Sequence, residues 1–198
     1  MVDVTSRSAR AVARFDQANR EDPRLVDVDG VDRPAELVYA ERMTACLDRF
    51  LPDAPDVLRL AARCQHIRRW TIPRGRYPDG REGYRRWRTD LAHFHAETAG
   101  AILRDVGYDE PTIGRVQALL RKGRLKADPD VQALEDVICL VFLEHYLDDF
   151  APRHERPKVL DIIRKTWRKM SGRGQAAVSA LPLTARVRGL LTEALDPQ

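Results

Sequence analysis

The chain has little of several features that mark particular classes of protein. Its three cysteines are widely spaced and form no Cys-x-x-Cys pair, which argues against a zinc ribbon and against a disulfide framework. The longest uninterrupted apolar run, Val137–Leu143, is too short to span a bilayer, and the first ten residues hold no apolar segment typical of a signal peptide. We therefore expect a cytoplasmic protein without a membrane-spanning segment.

The motifs of several common enzyme classes are also absent. The sequence contains no P-loop, no Gly-x-Gly-x-x-Gly fingerprint, no Gly-x-Ser-x-Gly elbow and no His-Glu-x-x-His zinc motif. It also lacks the paired Glu-x-x-His motifs of a di-iron bundle and any helix-turn-helix or RNA-binding signature. Function must therefore be sought in individual side chains that occupy unusual positions.

Strand signals are sparse, because no alternation is sustained and no Asn-Gly or Asp-Gly pair joins two apolar runs. Helical spacing of apolar residues predicts helices over residues 6–19, 35–50, 55–69, 83–106, 110–122, 130–149, 156–171 and 183–195. Two segments are rich in turn-forming residues: Asn19–Pro34 is predicted to be an ordered loop or turn, and Thr71–Gly83 a long loop. Since 43% of the residues are hydrophobic and 32% are charged, we expect one globular, all-α domain over residues 1–198.

Four polar side chains stand out because the predicted helices place them within or beside apolar stripes. They are Glu41, His66, His95 and Asp136. Each also has a purely structural interpretation. Glu41 is then a surface acid and His66 a cation at a helix C-terminus, while His95 is a hydrogen-bonded core histidine and Asp136 a carboxylate paired with an arginine. Together, two imidazoles and two carboxylates could hold manganese, iron, magnesium or zinc, provided that the four helices bring them to one place.

Arginines crowd the segment Arg63–Arg88, which we call the arginine cluster, and aromatic residues are interleaved with them. Guanidinium groups bind phosphate in bidentate fashion and stack on aromatic rings. Candidate phosphate ligands are Arg68, Arg69, Arg74 and Arg76. The cluster could also contact nucleic acid by charge and stacking. The structural alternative is that these arginines pair with the acids of Asn19–Pro34, and that the tryptophans anchor the loop.

Long stretches of the chain resemble a known family. The stretches are RFDQANREDP, PAELVYAERMT, RCQHIRRWTIPRGRYP, GYRRWRTDLAHFHAETAGAIL and LEDVICLVFLEHYLDDF. They resemble a family of small bacterial and fungal proteins that is classified as domain of unknown function 4202. The resemblance covers most of the chain, and it implies no particular chemistry because the family has no assigned activity.

A second resemblance implies more about chemistry. The stretch AARCQHIRRW is similar to the AALLHDIGRW type of segment in HD-domain metal phosphohydrolases. In that register Gln65 and His66 occupy the positions of the His-Asp pair, and His95 resembles a further histidine of that family. Asp136 resembles its late aspartate ligand, and Glu41 falls near its first histidine. Gln65 departs from the pattern because an amide is a poor ligand, so the resemblance implies a divergent HD-like fold with altered or lost metal ligands.

The leading hypothesis is a metal-dependent hydrolase that acts on a phosphorylated small molecule or nucleotide. The four candidate ligands would hold a divalent cation that lowers the pKa of a bound water, while the arginines hold the phosphate. Glu97 or Glu144 would serve as a supporting base. Two alternatives stay open: a catalytically inactive HD-like module that binds a nucleotide or RNA through the arginine cluster, and an iron-dependent oxygenase, which rests on the resemblance alone.

Overall fold

The computed structural model describes residues 6–123 and 127–196. Nearly all of their regular structure is helical, which confirms the predicted all-α class. The chain divides into two compact units, Met1–Gly123 and Arg124–Gln198. No helix within the described ranges is both long enough and apolar enough to cross a membrane. The cytoplasmic location and the single domain over residues 1–198 stay predictions, and the prediction about the N-terminus partly concerns residues 1–5, outside the described ranges.

The first unit holds five helices and one hairpin in its described part. They are α1 Arg7–Arg20, β1 Leu25–Val28, β2 Val31–Pro34, α2 Ala35–Phe50, α3 Asp56–Arg63, α4 Gly80–Val106 and α5 Glu110–Arg121. Two short 3-10 turns, Arg69–Thr71 and Arg74–Arg76, lie between α3 and α4. Helix α4 packs along α5, and α3 packs against both α2 and α5.

Local sequence explains where these helices begin and end. The Ser6 hydroxyl accepts a hydrogen bond from the Ala9 N–H at the start of α1, and the Asp109 carboxylate does the same for Thr112 at the start of α5. Helix α4 ends at Gly107, whose φ of 91° is a left-handed conformation that glycine adopts without strain. Apolar stripes then close the core, with Phe15, Met43, Leu47, Leu58, Leu91, Leu103 and Leu119 fully buried.

The hairpin corrects the prediction of a loop over Asn19–Pro34. Strands β1 and β2 pair antiparallel through a two-residue turn, Asp29–Gly30, with φ of 54° and 82°. Positive φ at both central residues is the type I′ geometry that Asp-Gly favours, because its twist matches that of the flanking strands. The turn signal was present in the sequence. It was missed because LVDV and VDRP are too polar to read as apolar runs.

Helix α3 ends six residues before the predicted boundary, which changes the setting of His66. The predicted helix reached residue 69, whereas α3 stops at Arg63 and turns follow it. Arg68 adopts a left-handed φ of 51°, and its backbone N–H donates to the Asn19 side-chain oxygen at 3.0 Å. Because a buried amide from α1 holds this turn, Gln65 and His66 lie on a rigid loop rather than on the helix.

The second unit is wholly helical in its described part. Its elements are α6 Pro129–His145, α7 Leu147–Phe150, α8 Arg156–Lys169, α9 Gly172–Ala177 and α10 Ala185–Leu195, with 3-10 turns at Ala151–Arg153 and Val178–Ala180. Helix α6 packs against α7, α8 and α9, and α8 packs against α10. Leu140 of α6 and Ile163 of α8 are buried, as the apolar patterns of these helices predict.

Candidate functional site

A cavity of about 240 Å³ opens in the first unit between the turn after α3, the middle of α4 and the end of α5. We call it the basic pocket, because four cationic side chains line it. Its polar lining is Gln65, His66, Arg69, Arg88, Thr89, His93, His95, Arg121 and Lys122. Within residues 6–123, no carboxylate forms an ion pair with Arg69 or Arg88. A cavity with this lining attracts anions, since low-dielectric walls strengthen the field of the cations.

His95 is the most deeply buried polar group of the pocket. Its residue is 4% exposed, and its Nδ1 lies 2.8 Å from the backbone oxygen of Ile67. A carbonyl oxygen only accepts, so Nδ1 carries the proton and Nε2 presents a lone pair. Within the described ranges that Nε2 has no hydrogen-bond partner. Burial, assisted by the neighbouring His66, lowers the pKa of His95 to about 3, so the imidazole is neutral at pH 7.

His66 lies beside His95, with ring centroids 5.9 Å apart. Its ring stacks on Tyr39 at 4.1 Å, and its Nδ1 lies 3.4 Å from a carboxylate oxygen of Glu36. The carboxylate favours a proton on Nδ1, which leaves Nε2 as the acceptor. Burial and the positive charge of Arg69 hold the pKa of His66 well below its ordinary value. The pocket therefore contains two neutral imidazoles, each oriented by a contact to its Nδ1.

Glu36 belongs to an ionic network at the start of α2, in which two buried carboxylates share the half-exposed Arg24. Arg24 donates through Nη2 to Glu36 at 2.5 Å and to Asp22 at 3.0 Å. Asp22 also accepts the backbone N–H of Glu36 at 3.0 Å. Burial raises the pKa of Glu36, while the hydrogen bond from Arg24 opposes that rise. The hydrogen bonds from Arg24 and from the Glu36 backbone to Asp22 hold this network together, and the Glu36 carboxylate lies beside His66.

Arg69 is held at the pocket by an aromatic ring. Its guanidinium lies over the ring of Trp87, 4.7 Å from the centroid, and the Trp87 indole N–H donates to the Ile72 backbone oxygen at 2.9 Å. Burial, with help from the nearby charge of Arg88, lowers the pKa of Arg69. A partly desolvated guanidinium close to another cation is stabilised by an anion, which points again to an anionic ligand.

Gln65 adds a second unpaired acceptor to the lining. The residue is 5% exposed, and its side-chain oxygen is buried without a hydrogen-bond partner among the residues that the structure describes. A buried polar atom left unpaired costs about 1–3 kcal/mol, so such atoms are rare away from functional sites. Gln65 and His95, the two residues that hold these unpaired atoms, line the same cavity.

A family model for a domain of unknown function, DUF4202, matches residues 9–191 of the chain. The chain belongs to this family. No curated protein and no solved structure matches it. The resemblance of this DUF4202 chain to HD-domain proteins stays a prediction, and its function must be argued from the site itself.

The structure brings two of the four predicted metal ligands together. His66 and His95 line the basic pocket. Glu41 instead accepts a hydrogen bond from Arg33 at 2.8 Å. Asp136 is buried in the second unit, where it accepts from the Ser171 backbone N–H at 2.8 Å and from the Ser171 hydroxyl at 2.5 Å.

Metal coordination does not fit the side chains as they are arranged. In residues 6–123 and 127–196, no group of three or more His, Cys, Asp or Glu side chains could hold a metal ion. Glu36 approaches His66, but Arg24 already occupies one of its oxygens. The predicted divalent cation therefore stays a prediction.

The four predicted phosphate-binding arginines have different environments. Only Arg69 lines the basic pocket. Arg68 pairs with Glu21, which is the structural alternative that the acids of Asn19–Pro34 suggested. Arg74 donates to the backbone oxygens of Tyr77 and Pro78, both at 2.8 Å, so it holds the loop together. Arg76 donates to the Thr71 backbone oxygen at 3.3 Å and lies at a second cavity.

Neither predicted supporting base lies at the basic pocket. Glu97 is exposed on α4 and accepts from Arg121 at 2.6 Å. Glu144 lies on α6 of the second unit, with an oxygen 3.4 Å from Nε2 of His145. Because Arg121 itself lines the pocket, Glu97 acts on the site only through the position of that arginine.

Several pocket residues escaped the sequence analysis. Arg121 ends α5 and Lys122 follows it, both outside the arginine cluster, and Glu36, which contacts the pocket residue His66, lies in the first turn of α2. No spacing rule links these positions, since they meet only when α5, α2 and the turn after α3 pack together. For Gln65 the sequence did hold a signal, because the HD-type register aligns this residue with a metal-ligand position.

Proposed function

We propose that the first unit of this DUF4202 chain binds a small phosphorylated molecule in the basic pocket. The observation that carries the proposal is the set of four cationic side chains around one cavity, two of them arginines without an ion-pair partner in residues 6–123. Phosphate oxygens accept the hydrogen bonds that guanidinium and ammonium groups donate, and their charge offsets that of the cations.

Calorimetric titration tests this proposal with two matched arginine variants. Arg88 and Arg85 lie one turn apart on α4, both are exposed, and only Arg88 lines the pocket. Arg88→Gln should weaken the binding of phosphate monoesters about tenfold or more, since it removes one charge-assisted contact. Arg85→Gln makes the same change in net charge and should leave the affinity within about twofold. Equal losses of affinity in the two variants would show that binding depends on the net charge of the protein and not on the basic pocket.

Hydrolysis of the bound ester is a second candidate function, favoured by the unpaired Nε2 of His95. A neutral, oriented imidazole beside a phosphate can accept a proton from an attacking water, and its basicity rises when the anion offsets the surrounding cations. This role would make His95 the general base in place of Glu97 or Glu144. The earlier hypotheses of RNA binding and iron-dependent oxygenation stay predictions, since no contact in the pocket favours either.

Release of inorganic phosphate separates hydrolysis from simple binding. His95→Asn keeps an amide N–H near the position of Nδ1, where it can still donate to the Ile67 oxygen, but it removes the imidazole base. If hydrolysis occurs, the variant should lose about 10²–10⁴-fold in kcat, with a much smaller change in affinity. Turnover that survives in the variant would contradict this role. Turnover that requires added Mn²⁺ would support the metal-dependent hypothesis instead.

A further inference from the structure

The basic pocket separates two kinds of hydrogen-bonding group. Its four cations, Arg69, Arg88, Arg121 and Lys122, only donate. Gln65 and His95 each contribute an unpaired buried atom, the side-chain oxygen and Nε2, and both of these atoms only accept. A phosphate monoester held by these cations is bound as its dianion, which satisfies the donors but brings no proton for the acceptors. A ligand that carries donors of its own in addition to its phosphate satisfies both kinds of group.

The charge of the pocket limits what those donors can be. An ammonium group would meet four nearby cations and be repelled by them. A hydroxyl group carries no charge, donates one hydrogen bond and is small enough to reach a buried acceptor. Neutral hydroxyls therefore fit the acceptor side of the pocket better than amines do.

The size of the pocket limits the ligand further. The cavity of about 240 Å³ is smaller than the roughly 300–1,000 Å³ that accommodate drug-sized ligands. It matches one phosphorylated sugar or polyol better than a phosphate ester with an additional ring system.

We propose that the ligand is a sugar phosphate or polyol phosphate, and that Gln65 is the residue that selects it by accepting a hydrogen bond from a hydroxyl group. This inference rests on the phosphate-binding function proposed above. His95 contributes the second acceptor, which takes a further hydroxyl in simple binding or the attacking water in hydrolysis. Gln65 recognises a ligand hydroxyl in both cases, so the selectivity belongs to Gln65.

A series of four probes on the unmodified protein tests the ligand class. The probes are inorganic phosphate, n-pentyl phosphate, ribose 5-phosphate and adenosine 5′-monophosphate, each titrated by calorimetry. Ribose 5-phosphate should bind about tenfold more tightly than pentyl phosphate, the value expected when one buried acceptor gains its partner. Equal or tighter binding of pentyl phosphate would overturn the inference and leave phosphate binding intact. Tighter binding of the nucleotide than of ribose 5-phosphate would overturn the single-sugar assignment, and no binding of any probe would overturn the proposed function as well.

Two glutamine variants test the role of Gln65. Gln65→Met keeps the length of the side chain and removes the unpaired oxygen, so the melting temperature should stay the same or rise. The preference for ribose 5-phosphate over pentyl phosphate should fall from about tenfold to about twofold or less, with the affinity for pentyl phosphate unchanged.

Gln117→Met is the control. Gln117 on α5 donates to the Ala96 backbone oxygen at 3.1 Å, and it does not line the pocket. Its replacement should lower the melting temperature and leave the tenfold preference in place. An unchanged preference in Gln65→Met, or equal weakening of both ligands, would contradict the assignment. Should Gln65→Met fail to fold, the oxygen has a structural role and the probe series on the unmodified protein still decides the ligand class.

Discussion

At the scale of single residues, burial decides the protonation state of the pocket. His95 and His66 would each be partly protonated near neutrality in water, and desolvation together with the surrounding cations holds both pKa values low. Neutral imidazoles are acceptors as well as donors, so the same packing that removes their charge creates the unpaired Nε2 of His95.

The stability of the protein should depend on pH through His95. Its pKa is near the ordinary value of 6.5 in the unfolded chain and about 3 in the folded chain. Between these values the unfolded state binds a proton that the folded state excludes, so the free energy of unfolding rises with pH and falls on acidification. Urea denaturation near pH 5 should show a slope of about 1.4 kcal/mol per pH unit from His95.

His95→Asn supplies the control for this slope. The variant removes one imidazole, so its slope near pH 5 should be smaller by about 1.4 kcal/mol per pH unit, while other acidic groups contribute equally to both proteins. His66 acts in the same direction and remains in the variant. Parallel curves for the two proteins would show that His95 is protonated alike in the folded and unfolded chains.

Asp136 offers a second test at this scale. It accepts two hydrogen bonds from Ser171 and one from Gln132 at 3.1 Å, so Asp136→Ala should lower the free energy of unfolding by about 2–4 kcal/mol. Elemental analysis of the purified variant and the unmodified protein should give the same metal content. Loss of a stoichiometric metal in the variant would contradict the structural role and support a metal centre that includes Asp136.

At the scale of elements, the long loop before α4 is held against the start of that helix. Arg74 binds the backbone oxygens of Tyr77 and Pro78, and Gly83 lies so close that an added Cβ would fall 1.9 Å from the Pro78 oxygen. This close approach sets the path of the chain into α4, which carries Arg88 and His95 to the pocket. The prolines and glycines of this loop therefore help to set the direction in which the chain enters α4.

Gly83→Ala should lower the free energy of unfolding by about 3 kcal/mol, because the clash is with backbone that cannot rotate away. Gly75→Ala, in the loop before α4, is the control, since a Cβ at Gly75 meets nothing within 4 Å. Chemical denaturation should separate the two variants clearly. A Gly83→Ala variant as stable as Gly75→Ala would contradict the described approach of the loop to α4.

At the scale of the whole molecule, the chain is made of two compact units, and the proposed site lies in the first unit. The second unit has its own core, formed by α6, α8 and α10, and its own buried carboxylate, Asp136. The residues that line the basic pocket come from α4, the end of α5 and the turns after α3, and Glu36 of α2 contacts His66.

Hydrogen exchange should show that a core mutation in one unit accelerates exchange in that unit alone. Leu140→Ala leaves a cavity in α6 and should lower stability by about 2–5 kcal/mol, with faster exchange in α6, α8 and α10. Exchange in α1–α5 should change little. Leu119→Ala in α5 is the reciprocal variant, and its effect should be confined to the first unit. Uniform acceleration along the chain in both variants would show that the two units unfold together.

The sequence by itself determined the helical class and most helix positions of this protein. Apolar residues at helical spacing and capping residues such as Asp109 act over one or two turns, so a local pattern carries that information. The same local patterns drew attention to His66, His95 and Gln65, the first two as polar groups in apolar surroundings and the last through the HD-type register.

Only the tertiary structure decided which of these groups meet. Arg121 and Lys122 at the end of α5 join Arg69 and Arg88 from the arginine cluster, while Arg68 and Arg74 turn to other partners. A pocket is made by side chains distant in sequence, and packing sets their separation to within an ångström. Charge and hydropathy along the chain carry no such distance, which is why only Arg69 of the four predicted phosphate-binding arginines lies at the pocket.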